Sequence, residues 1–250
     1  MKNHYPGIFA GFVILFALYH AAEYMIVFQN SIGGFFGFQL LFFIAAHIIA
    51  RKQGGKGLNS WGLNLRPFPL KPILKGILTG IALYAVTWLI NLTIGSEEIV
   101  SIPSFKTVLI AASPFVFGVI FSSLSEDILT RGYLYFHLKQ KLSRPLFILL
   151  SATIFLLNHI YKLDKGLEAW LYLFLLGIAL VIPLLTTKQL WFTTAMHWAG
   201  NAFFYISHGM VKTVSAPGGI PANYVFCLVI ILFIGLSAWL LRLFPSEVKD

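Results

Sequence analysis

Charge is what this sequence has least of: 11% of its 250 residues are charged, against 58% hydrophobic. A soluble domain carries about 25% charged residues, so this chain cannot cover a water-facing surface. Cysteine is nearly absent. Cys227 is the single one; it allows no intrachain disulfide and no cysteine metal site. In its apolar stretch it is expected to pack as a small apolar residue. Acids are scarce, 9 Asp+Glu against 18 Lys+Arg, for a net charge of +9. The basic residues are scattered over short loops, which argues against nucleic acid as a partner. Cytoplasmic loops and anionic lipid headgroups are where such an excess belongs. No His-Glu-x-x-His occurs, which removes one common zinc pattern. No long linker, soluble domain or convincing repeat is visible, and the paired broken helices of a transporter are missing.

What is present is a series of apolar runs, each near the roughly 20 residues that a membrane helix needs. The chain reads as an all-α polytopic membrane protein, one integral membrane domain over residues 1–250 with about eight transmembrane helices. The expected spans are Pro6–Phe28, Phe35–Ala50, Ile73–Ile94, Phe105 to about Leu142, Pro145–Tyr161, Leu167–Leu185, Leu190–Ile206 and Tyr224–Phe244, with a short charged tail after the last. The first is expected to be a retained helix rather than a cleaved leader. Pro114 is expected to kink the fourth. Arg51–Lys75 holds six basic residues and no acid, the strongest orientation signal in the chain, and reads as cytoplasmic. Gly95–Ser104 and His208–Asn223 then lie outside, and both termini are cytoplasmic, with the plasma membrane as the expected location.

Within the fourth run stands Ser125-Glu126-Asp127-Ile-Leu-Thr-Arg131-Gly. Ionisable groups at membrane depth are expensive and are functional candidates by default. Asp127 and Arg131 are i,i+4 neighbours on a helix and can pair. Glu126 is turned about 100° from them, a carboxylate without an obvious cation. The fifth run carries Phe155 and then Asn158-His159, and the seventh carries His197-Trp-Ala-Gly-Asn201. Phe155 and His159, like His197 and Asn201, have the i,i+4 spacing of one helix face. At about 1.5 Å per residue, Glu126 lies roughly 20 Å in from Lys139, His159 roughly 21 Å from Pro145, and His197 and Asn201 roughly 14 and 20 Å from Lys188. Three helices thus bring polar groups to one layer.

A carboxylate, two imidazoles and a carboxamide make a hydrolytic set. Glu126 can take a proton from water. His159 can orient that water, and His197 and Asn201 can donate to the oxyanion formed at an amide. The same residues offer a second chemistry: Glu126, His159 and His197 are two histidines and one carboxylate, a zinc set with a place left for water. The cofactor is unknown on sequence alone, zinc in that case and none if Glu126 activates water directly. His20 and Glu23, i,i+3 in the first span, read as an interhelical contact or as support for a polar cavity. His4, His47, His137 and His208 read as interfacial or packing residues, and Trp61, Tyr161 and Trp191 as interfacial anchors.

The three motifs, Glu126-Asp127-Ile-Leu-Thr-Arg131, Phe155 to His159 and His197 to Asn201, resemble in order and placement those of the CPBP family, the CAAX-protease and bacteriocin-processing intramembrane proteases. The resemblance covers about residues 104–207, the catalytic helices. It departs at Asp127, where the family usually has glutamate, so the geometry of the pair with Arg131 is what differs. It implies that Glu126 is the catalytic carboxylate, that His159, His197 and Asn201 complete the site, and that Asp127, Arg131 and Phe155 support it. The implied activity is hydrolysis of a peptide bond near the cytoplasmic half of the bilayer. The substrate would be a lipidated tail, a precursor peptide or a membrane protein segment, and the lipid bilayer the other partner. The rival is a non-catalytic immunity or scaffold protein keeping the protease fold.

Overall fold

The computed structural model describes residues 5–216 and 218–243. His4 and the charged tail after the last span lie outside these residues. Among the described residues eight helices run up and down: α1 (Tyr5–Val27), α2 (Ile32–Lys52), α3 (Leu70–Thr93), α4 (Phe105–Leu138), α5 (Arg144–Asn158), α6 (Leu167–Thr187), α7 (Trp191–Phe204) and α8 (Ala222–Leu243). Six of them, all but α5 and α7, are long and apolar enough to cross a membrane. Many large apolar side chains on their outer faces are exposed, Leu78, Phe105 and Leu232 among them, as a helix surface in hydrocarbon requires.

Two of the expected spans are shorter than their apolar runs. α5 stops at Asn158, and His159 caps it with non-helical φ −89° and ψ 44°. A 3₁₀ turn, Ile160–Lys165, follows. His159 therefore sits just past a helix end rather than on its face. α7 continues into wider π turns over Tyr205–Met210. α4 ends at Leu138, short of the expected Leu142, keeps Pro114 inside the helix and widens into a π turn over Ile128–Gly132. Wide turns loosen backbone pairing, and side chains compensate here: the Thr130 hydroxyl donates to the Glu126 carbonyl at 2.8 Å, and Ser151 donates to the Thr130 carbonyl at 2.7 Å.

The basic segment after α2 is packed rather than loose. Trp61, in a 3₁₀ turn Gly57–Trp61, is 1% exposed, with its ring 5.0 Å from that of Tyr133. This corrects its reading as an interfacial anchor: the segment folds back under the bundle, and Leu190 N donates to the Gly62 carbonyl at 2.9 Å. Trp191 does behave as a half-buried edge residue, donating from its indole to the Asn64 carbonyl at 2.8 Å. α3 and α7 pack most closely of all. Gly76 and Gly80 make that approach, since a Cβ on either would strike the carbonyls of Phe192 and Met196.

The two expected outer loops meet. β1 (Glu97–Ser101) and β2 (Lys212–Ser215) pair antiparallel, a small addition to a helical fold. At the other end, Gln53 contacts His137 at 2.9 Å and the Lys141 ammonium lies 4.5 Å from the Tyr5 ring. The basic segments and the start of α1 thus share one end, and the sheet marks the other.

Candidate active site

Glu126 is the next-to-last residue of the regular part of α4 and is 4% exposed. Its Oε1 accepts a hydrogen bond from Asn158 Nδ2 at 3.0 Å. His159 Nδ1 lies 3.5 Å from the same oxygen, and His197 Nε2 lies 3.8 Å from Oε2. The carboxylate is therefore flanked by a carboxamide and two imidazoles. His159 Nδ1 also lies 2.8 Å from the Phe155 carbonyl oxygen. A proton on Nδ1 serves that contact and leaves Nε2 with a lone pair for water.

Asp127 and Arg131 form the ion pair their spacing suggests, both fully buried. Arg131 also donates to Thr130 Oγ1 at 3.0 Å, and its guanidinium lies 4.5 Å over the Phe155 ring. Asp127 does a second thing that its spacing from Arg131 does not reveal: its Oδ1 lies 3.5 Å from His197 Nδ1. It stands between the arginine and the histidine and can fix the orientation of that imidazole. Phe155 meets both imidazoles edge-on, 4.7 Å from His159 and 5.7 Å from His197. Asn201 lies on the same helix as His197 and is 3.4 Å from Ser123 Oγ, with no bond to Glu126.

The four candidate catalytic residues and two cavities come together. One cavity, about 550 Å³, lies between α3, α6 and α7 beneath the small sheet, with Tyr84, Asn91, Glu97 and Tyr172 on its wall. The other, about 960 Å³, lies between α1, α2, α4 and α7, with Tyr19, Phe35, Phe117 and Glu126 on its wall. His159, His197 and Asn201 line both. The stretch after α5 borders the site: Lys162 lines both cavities.

The sequence alone assigns no role to Asn158, although its Nδ2 donates to the Glu126 carboxylate at 3.0 Å. The available signal was a carboxamide in an apolar run, beside His159. Tyr19 was also missed. It is 5% exposed and interacts with Glu126 through its side chain. Glu23 takes a hydrogen bond from Ser122 at 2.6 Å and lines the larger cavity, so both readings given for it hold. Buried His20 lies beside Asn158. Elsewhere His208 contacts Glu97 at 3.2 Å and His137 contacts Gln53, both near helix ends as expected.

The zinc arrangement asks Glu126, His159 and His197 to converge on one point. Among the described residues, no three His, Cys, Asp or Glu side chains do so. His159 Nδ1 is turned to a carbonyl and His197 Nδ1 to Asp127.

No curated protein matches the chain. Residues 108–203, the segment holding Glu126, His159, His197 and Asn201, match the model of the Rce1-like family, described as type II CAAX prenyl endopeptidase Rce1-like, in agreement with the resemblance of the three motifs to the CPBP family.

Proposed function

We propose that the protein is an intramembrane endopeptidase that hydrolyses a peptide bond of a membrane-associated substrate with water activated by Glu126. The observation that carries this reading is the state of the two carboxylates. Asp127 is taken by Arg131, while Glu126 meets only neutral donors and imidazoles within reach of a cavity. A carboxylate so placed is available as a base. Water held between Glu126 and His159 attacks the carbonyl carbon and gives its proton to Glu126. The oxyanion forms beside Asn201, whose amide donates, and His197, which donates from Nε2 when both its ring nitrogens carry protons. As the C–N bond breaks, Glu126 returns the proton to the leaving amine. Asp127 keeps His197 aimed, and Asn158 keeps Glu126 aimed.

The substrate class is a lipidated tail, a precursor peptide or a membrane protein segment, the first suggested by the family's printed description. Purified protein in detergent, assayed against fluorogenic membrane peptides with and without a prenylated CAAX end, tests this. Glu126→Gln keeps size and hydrogen bonding and removes the proton acceptor. Cleavage is expected to fall at least about 100-fold with folding intact, the scale of lost general-base catalysis. Unchanged biological function in Glu126→Gln at normal expression would favour the immunity or scaffold reading instead. Because the chemistry runs on Glu126, activity is expected to survive a strong chelator. Loss on chelation, with recovery on adding zinc, would move the assignment to the metal form.

The orientation proposed is the one set by charge: the Arg51–Lys75 end, and with it both termini, in the cytoplasm, the protein lying in the plasma membrane.

A further inference from the structure

The two ends of the bundle differ in charge and in access. One end gathers the six basic residues of Arg51–Lys75 with Lys139, Lys141, Arg144 and Lys188, and no acid lies among these segments. The other end carries Glu97, Glu98, Asp164 and Glu168 against Lys106, Lys162, Lys165 and Lys212, which cancel. An asymmetry of this kind places the first end in the cytoplasm.

Both cavities reach only the second end. The smaller one is rimmed by Ser96, Glu97, Ser215, Ile220 and Asn223, and the larger one by Val27, Ile32 and Gly209. No residue of the basic segments lines either cavity. Toward the basic end the site is closed by packed side chains. Ile128 and Leu129, immediately after Glu126 and Asp127, join Trp61, Tyr133, Leu184 and Leu190 in one cluster, each 1% exposed or less. Protein interiors of this kind are close-packed and leave no path for a chain.

We infer that the peptide substrate reaches Glu126 from the extracytoplasmic face, so that the scissile bond belongs to an extracytoplasmic peptide or to the outer end of a membrane segment. The inference rests on the protease reading, and it reverses the expectation of cleavage from the cytoplasmic half. A lipidated tail presented from the cytoplasm meets the packed floor, not the cavity. The larger cavity, walled by Phe35, Phe36, Phe115 and Phe117, suits the apolar part of such a segment.

Access is measurable without cleavage. In a Cys227→Ala background, single cysteines replace Ser215 at the rim, Tyr84 on the inner wall of the smaller cavity and Lys71 at the basic end. Intact cells are treated with a membrane-impermeant maleimide. Ser215→Cys and Tyr84→Cys are expected to label from outside, and Lys71→Cys only after the cells are opened. Ile220→Cys serves as a second rim reporter if Ser215→Cys accumulates poorly, and Trp88→Cys as a second inner one. Labelling of Lys71→Cys from outside, or of the rim without the inner position, overturns the inference. The two readings fail separately: the expected labelling pattern with no peptide cleaved by protein that keeps Glu126 sinks the protease and leaves the access route standing. Where a peptide is cleaved, a bulky maleimide on the rim cysteine is expected to lower its turnover at least tenfold in sealed vesicles when reagent and peptide are added on the rim side.

Discussion

Glu126 and Asp127 are adjacent in sequence, yet their surroundings set them apart. Asp127 faces a buried cation and an imidazole; Glu126 faces Asn158 and two imidazoles. Successive helix positions diverge by about 100°, so one residue of offset sends the two carboxylates to different partners. Removing the Asp127 charge leaves Arg131 buried and unpaired, and breaking a buried pair costs about 3–5 kcal/mol. Asp127→Asn is therefore expected to lower folded yield or turnover, read by size exclusion in detergent and by the peptide assay. Intact yield and turnover in Asp127→Asn, with both lost in Arg131→Ala, would remove the pairing argument. Asn158 acts on Glu126 directly. A hydrogen bond to a charged group is worth about 1.5–3 kcal/mol, so Asn158→Ala is expected to lower kcat by roughly one to two orders of magnitude. A lower thermal midpoint with unchanged kcat would instead make Asn158 a packing residue.

The interruptions of the helices place the site. α5 stops at Asn158, and that stop lets His159 turn toward Glu126 while its Nδ1 meets the Phe155 carbonyl. The π turn after Asp127 is held by Thr130 and Ser151 and packs Arg131 against Phe155. α7, which brings His197 and Asn201, is held against α3 through Gly76 and Gly80. Adding side-chain volume at a tight helix contact costs about 1–3 kcal/mol or more. Gly80→Leu is therefore expected to lower the thermal midpoint in detergent and to reduce activity with it. Gly37→Leu, with nothing within 4 Å of its added Cβ, is the matched control and is expected to be neutral. Equal stability of the two variants would show that the α3–α7 contact is not a tight one.

At the scale of the whole molecule, the bundle is lopsided. A packed floor lies toward the basic loops, and two cavities open toward the small sheet. The regular spans α1 and α2 do more than fill the membrane: α1 supplies Tyr19 and Glu23 to the wall of the larger cavity, although the family match begins only at residue 108. Helices outside the matched segment thus shape what reaches Glu126.

The sequence by itself determined the membrane class, because so few charges cannot solvate a surface, and the positions of the spans, because apolar runs have a minimum length. It also determined the Asp127–Arg131 pair and the common depth of Glu126, His159, His197 and Asn201, since helix geometry alone sets both. Only the tertiary structure decided the rest. Asn158 and Tyr19 reach Glu126 from other helices, and Asp127 reaches His197 across the bundle; such contacts follow from packing, not from spacing along one chain. Trp61 looked like an interfacial anchor until the segment folded beneath Tyr133. The direction in which the cavity opens was hidden for the same reason: it depends on which ends of eight helices splay apart and which close, and no single helix carries that information.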